Sequence, residues 1–230
     1  MNVILFGASG MVGQGVLREC LLAPDVGTVL AVGRSELPLR HPKLRQLVRA
    51  DLLDYRGVAS QLDGYDACFF CLGVSASDTD EAGFVRLNHD LPLAAAQALV
   101  ERNAGMTFVY VSGSGTDSTE KGKVMWARVK GRTENALQRL GFRAVYLFRP
   151  GIIVPLNGER SKTRLYRLFY SSLGWAVAPL RRLFPNAILD TERVGRAMLQ
   201  AVRDGGAQAI VEPTDINRLA QAAVAPGSRP

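Results

Sequence analysis

Three glycines set at intervals of three constrain this chain more than any other feature. Gly7-Ala8-Ser9-Gly10-Met11-Val12-Gly13 follows directly on the apolar run Val3-Ile4-Leu5-Phe6 and leads into a helical pattern over Met11 to Leu22 that stops before Pro24. A strand that must turn at once into a helix needs a residue free of Cβ at the corner, which Gly7 supplies. Gly10 lets backbone amides approach a ligand, and Gly13 lets the helix lie close to the strand. The helix mouth then aims unpaired N–H groups from Met11, Val12 and the loop, with Ser9 beside them, at one point. That arrangement holds a diphosphate.

The remainder keeps the same alternation. Apolar runs at Thr28 to Val32, near Gln46 to Arg49, and at Ala67 to Leu72, Thr107 to Val111 and Ala144 to Phe148 read as strands buried on both faces. Between them lie helical stretches over Glu81 to Arg102, with Pro92 as a kink or break, and over Lys123 to Leu140, closed by Gly141 as a C-terminal cap. Another helix runs from Thr191 to Arg203 with Asp190 or Thr191 as its N-cap, and a short strand follows at Ala209 to Val211. The expectation is a single α/β domain over residues 1–230, doubly wound around a parallel sheet. Residues 151–190, rich in Arg, aromatics, Gly and Pro, are read as a small irregular lid or partner segment. Residues 222–230, of Ala, Pro, Gly and Ser, are read as a fraying tail.

Composition removes several function classes. With 230 residues, 47% of them hydrophobic, one core is affordable. No apolar run reaches bilayer length, and no charged n-region precedes the first strand, so a cytoplasmic protein is the expectation. Cys68 and Cys71 spell a CxxC, but residues three apart on a strand face opposite sides, and the two histidines, His41 and His89, add no ligand spacing. No metal site is expected. The net charge of +7 is spread out rather than gathered into a nucleic-acid patch, although Arg160, Lys162, Arg164, Arg167, Arg181 and Arg182 share the lid segment. No nucleic-acid partner is expected. An interfacial membrane contact through residues 162–184, where aromatics stand next to arginines, is a weaker reading of the same segment.

The end of the second strand chooses between cofactors. An NAD site places an acid there for the ribose hydroxyls. Here the chain reads Ala31-Val32-Gly33-Arg34-Ser35, and Glu36 comes too late. The planar fork of Arg34, with Ser35 as a further donor, suits a 2′-phosphate, so NADP(H) is favoured over NAD(H).

Together with Ala50-Asp51-Leu52, Cys71-Leu72-Gly73, Phe84 to Asp90, Val109 to Gly113, Val129-Lys130-Gly131 and Arg149-Pro150-Gly151, these motifs resemble the short-chain dehydrogenase/reductase superfamily. The resemblance is to its atypical branch, which includes the HIV Tat-interacting oxidoreductase-like and the NAD-dependent epimerase/dehydratase-like proteins, and it spans Asn2 to about Val202. It implies a Rossmann sheet of strand order 3-2-1-4-5-6. It also implies that Asp51 bonds the adenine amino group and that Leu52 flanks the ring. Leu72 and Gly73 would lie by the adenosine ribose, and Pro150, Gly151 and Ile152 would border the nicotinamide.

The superfamily's reductases relay a proton through Tyr-x-x-x-Lys and polarise the carbonyl with a hydroxyl at the end of strand five. Lys130 matches the lysine, but Trp126 stands where the tyrosine belongs. An indole N–H only donates and does not titrate usefully. The hydroxyl position falls on Gly113, with Ser112 and Ser114 as its neighbours. Lys130, Ser112 and Ser114 are therefore the candidate catalytic residues, with Lys130 also on the nicotinamide ribose. Two readings stay open. One is an NADP(H)-dependent oxidoreductase acting on a small molecule. The other is a non-catalytic NADP(H)-binding protein that regulates a protein partner, as a monomer or homodimer.

Overall fold

The computed structural model describes residues 1–159, 188–205 and 208–223. The first strand, β1 (Asn2–Phe6), is followed by α1 (Met11–Leu22), β2 (Thr28–Gly33), β3 (Leu44–Val48), a 3₁₀ turn over Arg56–Leu62, and β4 (Ala67–Phe70). A broken helix comes next: α2 (Glu81–Val85), a π turn over Arg86–Asp90, and α3 (Leu91–Val100). Then follow β5 (Thr107–Val111), α4 (Met125–Gln138), β6 (Ala144–Phe148), β7 (Ile152–Val154), β8 (Ile188–Asp190), α5 (Thr191–Asp204), β9 (Ile210–Val211) and α6 (Pro213–Ala222).

Seven strands form one sheet in the order β3-β2-β1-β4-β5-β6-β9, every pairing parallel. The order reverses between β1 and β4, which opens a crevice beyond their carboxyl ends. Both faces are covered, as continuous apolar strands require. On one face, Val3, Leu5 and Phe69 pack with Val16 and Cys20 of α1 and Met198 of α5. On the other, Ile4, Phe6 and Phe70 pack with Ala95 and Leu99 of α3 and Leu137 of α4. There the rings of Phe6 and Phe70 stack at 5.1 Å, and those of Phe70 and Phe108 at 6.1 Å, tying three strands together. Cys68 joins one core and Cys71 packs against the other, so the CxxC sulfurs diverge as strand alternation requires. All three cysteines are free.

The long central helix is broken where a proline withholds a bond. Pro92 sits in the first turn of α3, and its missing N–H is the one that would have bonded the carbonyl of Asn88. The helix widens into the π turn just ahead, and the freed carbonyl accepts from Tyr110 Oη at 3.1 Å and Thr133 Oγ1 at 2.9 Å. The break therefore lies a turn earlier than Pro92 itself. At the other ends the structure departs from expectation in small ways. Strand β3 begins two residues earlier, and β4 stops at Phe70. Helix α4 ends at Gln138, and Gly141 does not take a positive φ, because the amides of Arg139 and Leu140 close the last turn on Ala136 and Leu137. Asp190 caps α5 through the amide of Arg193 at 2.7 Å.

The parallel pair β7–β8, with Ile152 opposite Ile188 and Val154 opposite Asp190, is where the chain departs toward and returns from the proposed lid. Residues 160–187 of that lid, and residues 224–230 of the tail, lie outside the described residues.

Candidate functional site

Two hollows meet at the switch point. The first, about 370 Å³, is lined by Gly7, Ser9, Gly10, Arg34, Ser35, Asp51 and Leu52 among others. The second, about 510 Å³, is lined by Met11, Val12, Ser112, Gly113, Ser114, Trp126, Lys130, Pro150 and Gly151 among others. Cys71, Leu72, Gly73 and Val74 line both, which makes them one elongated crevice. All but two of the residues picked out from the sequence thus come together, although they span six connections of the chain. Gly13 lines neither hollow. It backs the loop, where a Cβ would stand 2.1 Å from the Gly7 carbonyl oxygen. Ile152 is also outside, 48% exposed, and its neighbour Ile153 lines the second hollow instead. The cause is the two-residue alternation of β7.

The glycine loop has the geometry its spacing predicts. Gly7 has φ +82°, and its backbone presses on the Cys71–Leu72 peptide, where a Cβ would fall 2.7 Å from the Cys71 carbonyl carbon. The Gly10 amide donates to the Gly7 carbonyl at 2.8 Å. No side chain caps α1, and no acid stands in its first turn, so the positive end of the helix is left open to an anion.

Arg34 and Ser35 are exposed at the rim of the first hollow. Glu36 lines a neighbouring hollow and pairs with Arg40 at 3.1 Å, so the acid that follows β2 most closely in sequence is not among the lining of the first hollow. Asp51 accepts from the Leu53 amide at 2.9 Å, which fixes its carboxylate at the mouth.

In the second hollow Lys130 does not stand free. Its Nζ donates to the carbonyls of Ser112 at 3.3 Å and Val111 at 3.5 Å, and lies 5.3 Å above the Tyr110 ring. Removal from water pushes its pKa down to about 8, partly countered by Glu134. Between about pH 8 and the ordinary lysine value, the unfolded chain therefore holds a proton that the folded chain has lost. Lys130 costs stability below that window and relieves the cost as pH rises through it. In paired urea titrations, the wild-type chain should accordingly gain on Lys130→Met between pH 8 and pH 10. Parallel curves would show that the ammonium is solvated.

The Ser112 hydroxyl is buried and shared with Thr116 Oγ1 at 2.9 Å, while Ser114 is exposed. Sequence reasoning assigned no role to Asn88. Its residue is 1% exposed, its Nδ2 donates to the Phe84 carbonyl at 3.2 Å, and its Oδ1 has no partner. A Cβ on Gly73 would sit 2.8 Å from that oxygen. A buried acceptor at the shared wall leaves a place for a donor from a ligand or a water. The signals in the sequence were its place within the Phe84 to Asp90 motif and four residues before Pro92. Gly131 was equally unexplained. A Cβ there would stand 1.8 Å from the Asp117 carbonyl oxygen, so α4 carries the 113–124 loop on its bare backbone.

A glycine cradle at an open helix mouth, an unsatisfied acceptor on the shared wall and a long crevice across the switch point fit a nicotinamide dinucleotide. The class is therefore a Rossmann dinucleotide-binding protein. Residues 7–163 match the family described as NAD(P)H-binding, and the chain belongs to that family. It is similar to protein HTATIP2 of Rattus norvegicus, 29% identical over 76% of this chain and 73% of that protein. It is likewise similar to the mitochondrial protein FMP52 of Saccharomyces cerevisiae, 30% identical over 71% of this chain and 69% of the relative. Among solved structures, a short-chain dehydrogenase/reductase-family oxidoreductase from Burkholderia thailandensis superposes with TM-score 0.69 at 18% identity, covering 94% of this chain and 92% of its own. The Bordetella bronchiseptica enzyme WbmF in complex with NAD+ superposes with TM-score 0.65 at 17% identity, covering 96% and 77%. At such identities the likeness concerns the fold alone.

One expectation is overturned. The cytoplasmic assignment conflicts with the FMP52 relatives, which are mitochondrial proteins by name. The sequence argument was too narrow for the question, because the features of a secretory signal discriminate one export route and not the other compartments. No described helix is long and apolar enough to cross a membrane.

Proposed function

We propose that the chain is an NADP(H)-dependent oxidoreductase acting on a small molecule, NADP(H) being preferred to NAD(H). The observation that carries the preference is the charge at the tip of β2. Arg34 lines the first hollow, and Glu36 lines a different one. In this reading the amides of the glycine loop and α1 hold the diphosphate, Arg34 and Ser35 hold the 2′-phosphate, and Asp51 and Leu52 hold the adenine. Asn88 Oδ1 accepts from a ribose hydroxyl. Lys130, Pro150 and Gly151 border the nicotinamide, which when bound supplies or accepts a hydride. Lys130 keeps the β5 carbonyls and the ribose in register.

Charge-assisted bonds of this kind contribute about 1.5–3 kcal/mol each. Calorimetry should therefore show NADPH binding at least tenfold tighter than NADH, and Arg34→Ala should bring the two within about threefold of each other. Equal affinities in the parent chain would remove the preference. The alternative, a non-catalytic NADP(H)-dependent regulator of a protein partner, is favoured by one observation: Trp126 occupies the proton-relay position. Turnover with a defined acceptor separates the two.

A further inference from the structure

We propose that the second hollow takes a flat, uncharged, conjugated two-electron acceptor of the quinone class, stacked on Trp126, a proposal that rests on the NADP(H) reading above. Both halves of the usual proton machinery are missing together. Where a hydroxyl is expected at the end of β5 there is Gly113, and where a phenol is expected on α4 there is an indole. The structure places the two positions side by side. A Cβ on Gly113 would lie 3.9 Å from Trp126 Cζ3, and one on Gly115, at φ +87°, 3.5 Å from Cη2. The benzo edge of the indole thus lies in contact range of two glycines, Gly113 and Gly115.

The rest of the lining agrees with an uncharged guest, although Ser75, Asn88 and Ser114 add polar groups to it. Met11, Val12, Phe84 and Ile153 face the hollow, and among the described lining residues there is no carboxylate, arginine or histidine. The single cation, Lys130, is engaged by two backbone carbonyls. The Ser112 hydroxyl is engaged by Thr116.

Proton accounting then selects the acceptor. Hydride arriving at a simple ketone creates an alkoxide whose conjugate acid has a pKa near that of water, about 16. That reaction needs a positioned proton donor in the transition state. Hydride arriving at a quinone breaks the C4–H bond of the reduced nicotinamide and places the electron pair in a conjugated ring. The charge is delivered onto oxygen as a phenolate, whose conjugate acid has a pKa of ~10. The products are the oxidised dinucleotide and a hydroquinone monoanion, which takes its proton from water afterwards. Trp126 is then the platform for an electron-poor ring in offset stacking, and its inability to titrate is no handicap.

The experiment measures binding and turnover separately. Calorimetry first establishes that NADP+ and NADPH bind. With NADP+ present, so that no reaction occurs, 2-methyl-1,4-naphthoquinone should quench tryptophan emission saturably. Trp126→Ala should weaken its binding by calorimetry about tenfold. Trp126→Phe, which keeps a ring and the packing, should retain it within about threefold, so a misfolded alanine variant does not decide the matter. With NADPH, the parent chain should reduce the naphthoquinone and leave cyclohexanone untouched. Binding of NADPH without binding of the naphthoquinone overturns this inference alone, as does equal turnover of cyclohexanone. Absence of NADPH binding removes both this inference and the reading beneath it.

Discussion

Gly13→Val is expected to lower NADPH affinity at least a hundredfold while the chain still unfolds cooperatively. A Cβ at residue 13 would lie 2.1 Å from the Gly7 carbonyl oxygen, 2.6 Å from its carbonyl carbon and 3.0 Å from Ala8 Cα. All three are backbone atoms, so no flexible side chain can give way. Either α1 moves off the sheet or the Gly7 peptide turns, and Gly7 is already pinned against Cys71 and Leu72. Each alternative moves the first-turn amides away from the point on which they converge. Losing two bonds to a charged diphosphate, at about 1.5–3 kcal/mol each, gives the hundredfold or more. Overpacking should cost a further ~1–3 kcal/mol of stability. Calorimetry with NADPH beside a thermal melt reads both quantities. Affinity within tenfold of the parent would mean that the diphosphate is held elsewhere.

The second large effect is expected just behind the crevice, next to Lys130 and Pro150. Arg149 and Glu134 form a two-pronged ion pair at side-chain exposures of 9% and 1%, with Nε to Oε1 at 3.1 Å. Arg149 also donates to Ser118 Oγ at 2.6 Å and reaches Glu212 at 3.5 Å, ahead of α6. One guanidinium therefore joins β6, α4, the 113–124 loop and the C-terminal helix. Glu134→Ala leaves that guanidinium buried with a half-exposed partner, and removal of one member of a buried pair costs about 3–5 kcal/mol. Against a typical domain stability of about 5–15 kcal/mol, this should appear as a large fall in the urea midpoint at an unchanged slope. Glu134→Gln, which keeps an acceptor, should lose less. A fall below 1 kcal/mol for the alanine variant would mean that water replaces the carboxylate.

Much of the fold was legible because its signals are local. Apolar runs bounded by turn residues placed all seven strands of the main sheet, and the glycine spacing placed the helix mouth, since both follow from backbone sterics within a few residues. The missing elements have weaker local signatures. The 3₁₀ turn over Arg56–Leu62 and helix α6 carry no long apolar stripe, and β7 and β8 are three residues each, paired across a separation in sequence that no periodicity reveals. The π turn was half legible. Pro92 announced a break, but its position depended on which donors could reach the carbonyl of Asn88, and those come from β5 and α4.

The sequence by itself determined the parallel α/β architecture and the anion-binding loop, because each depends on residue type at short spacing. Only the tertiary structure decided that Glu36 turns to Arg40, that Lys130 is committed to the β5 carbonyls, and that Asn88 keeps a buried oxygen without a partner. Those facts concern which polar groups remain unsatisfied once the chain has packed. Satisfaction is settled by atoms that meet across the fold, not by neighbours along the chain.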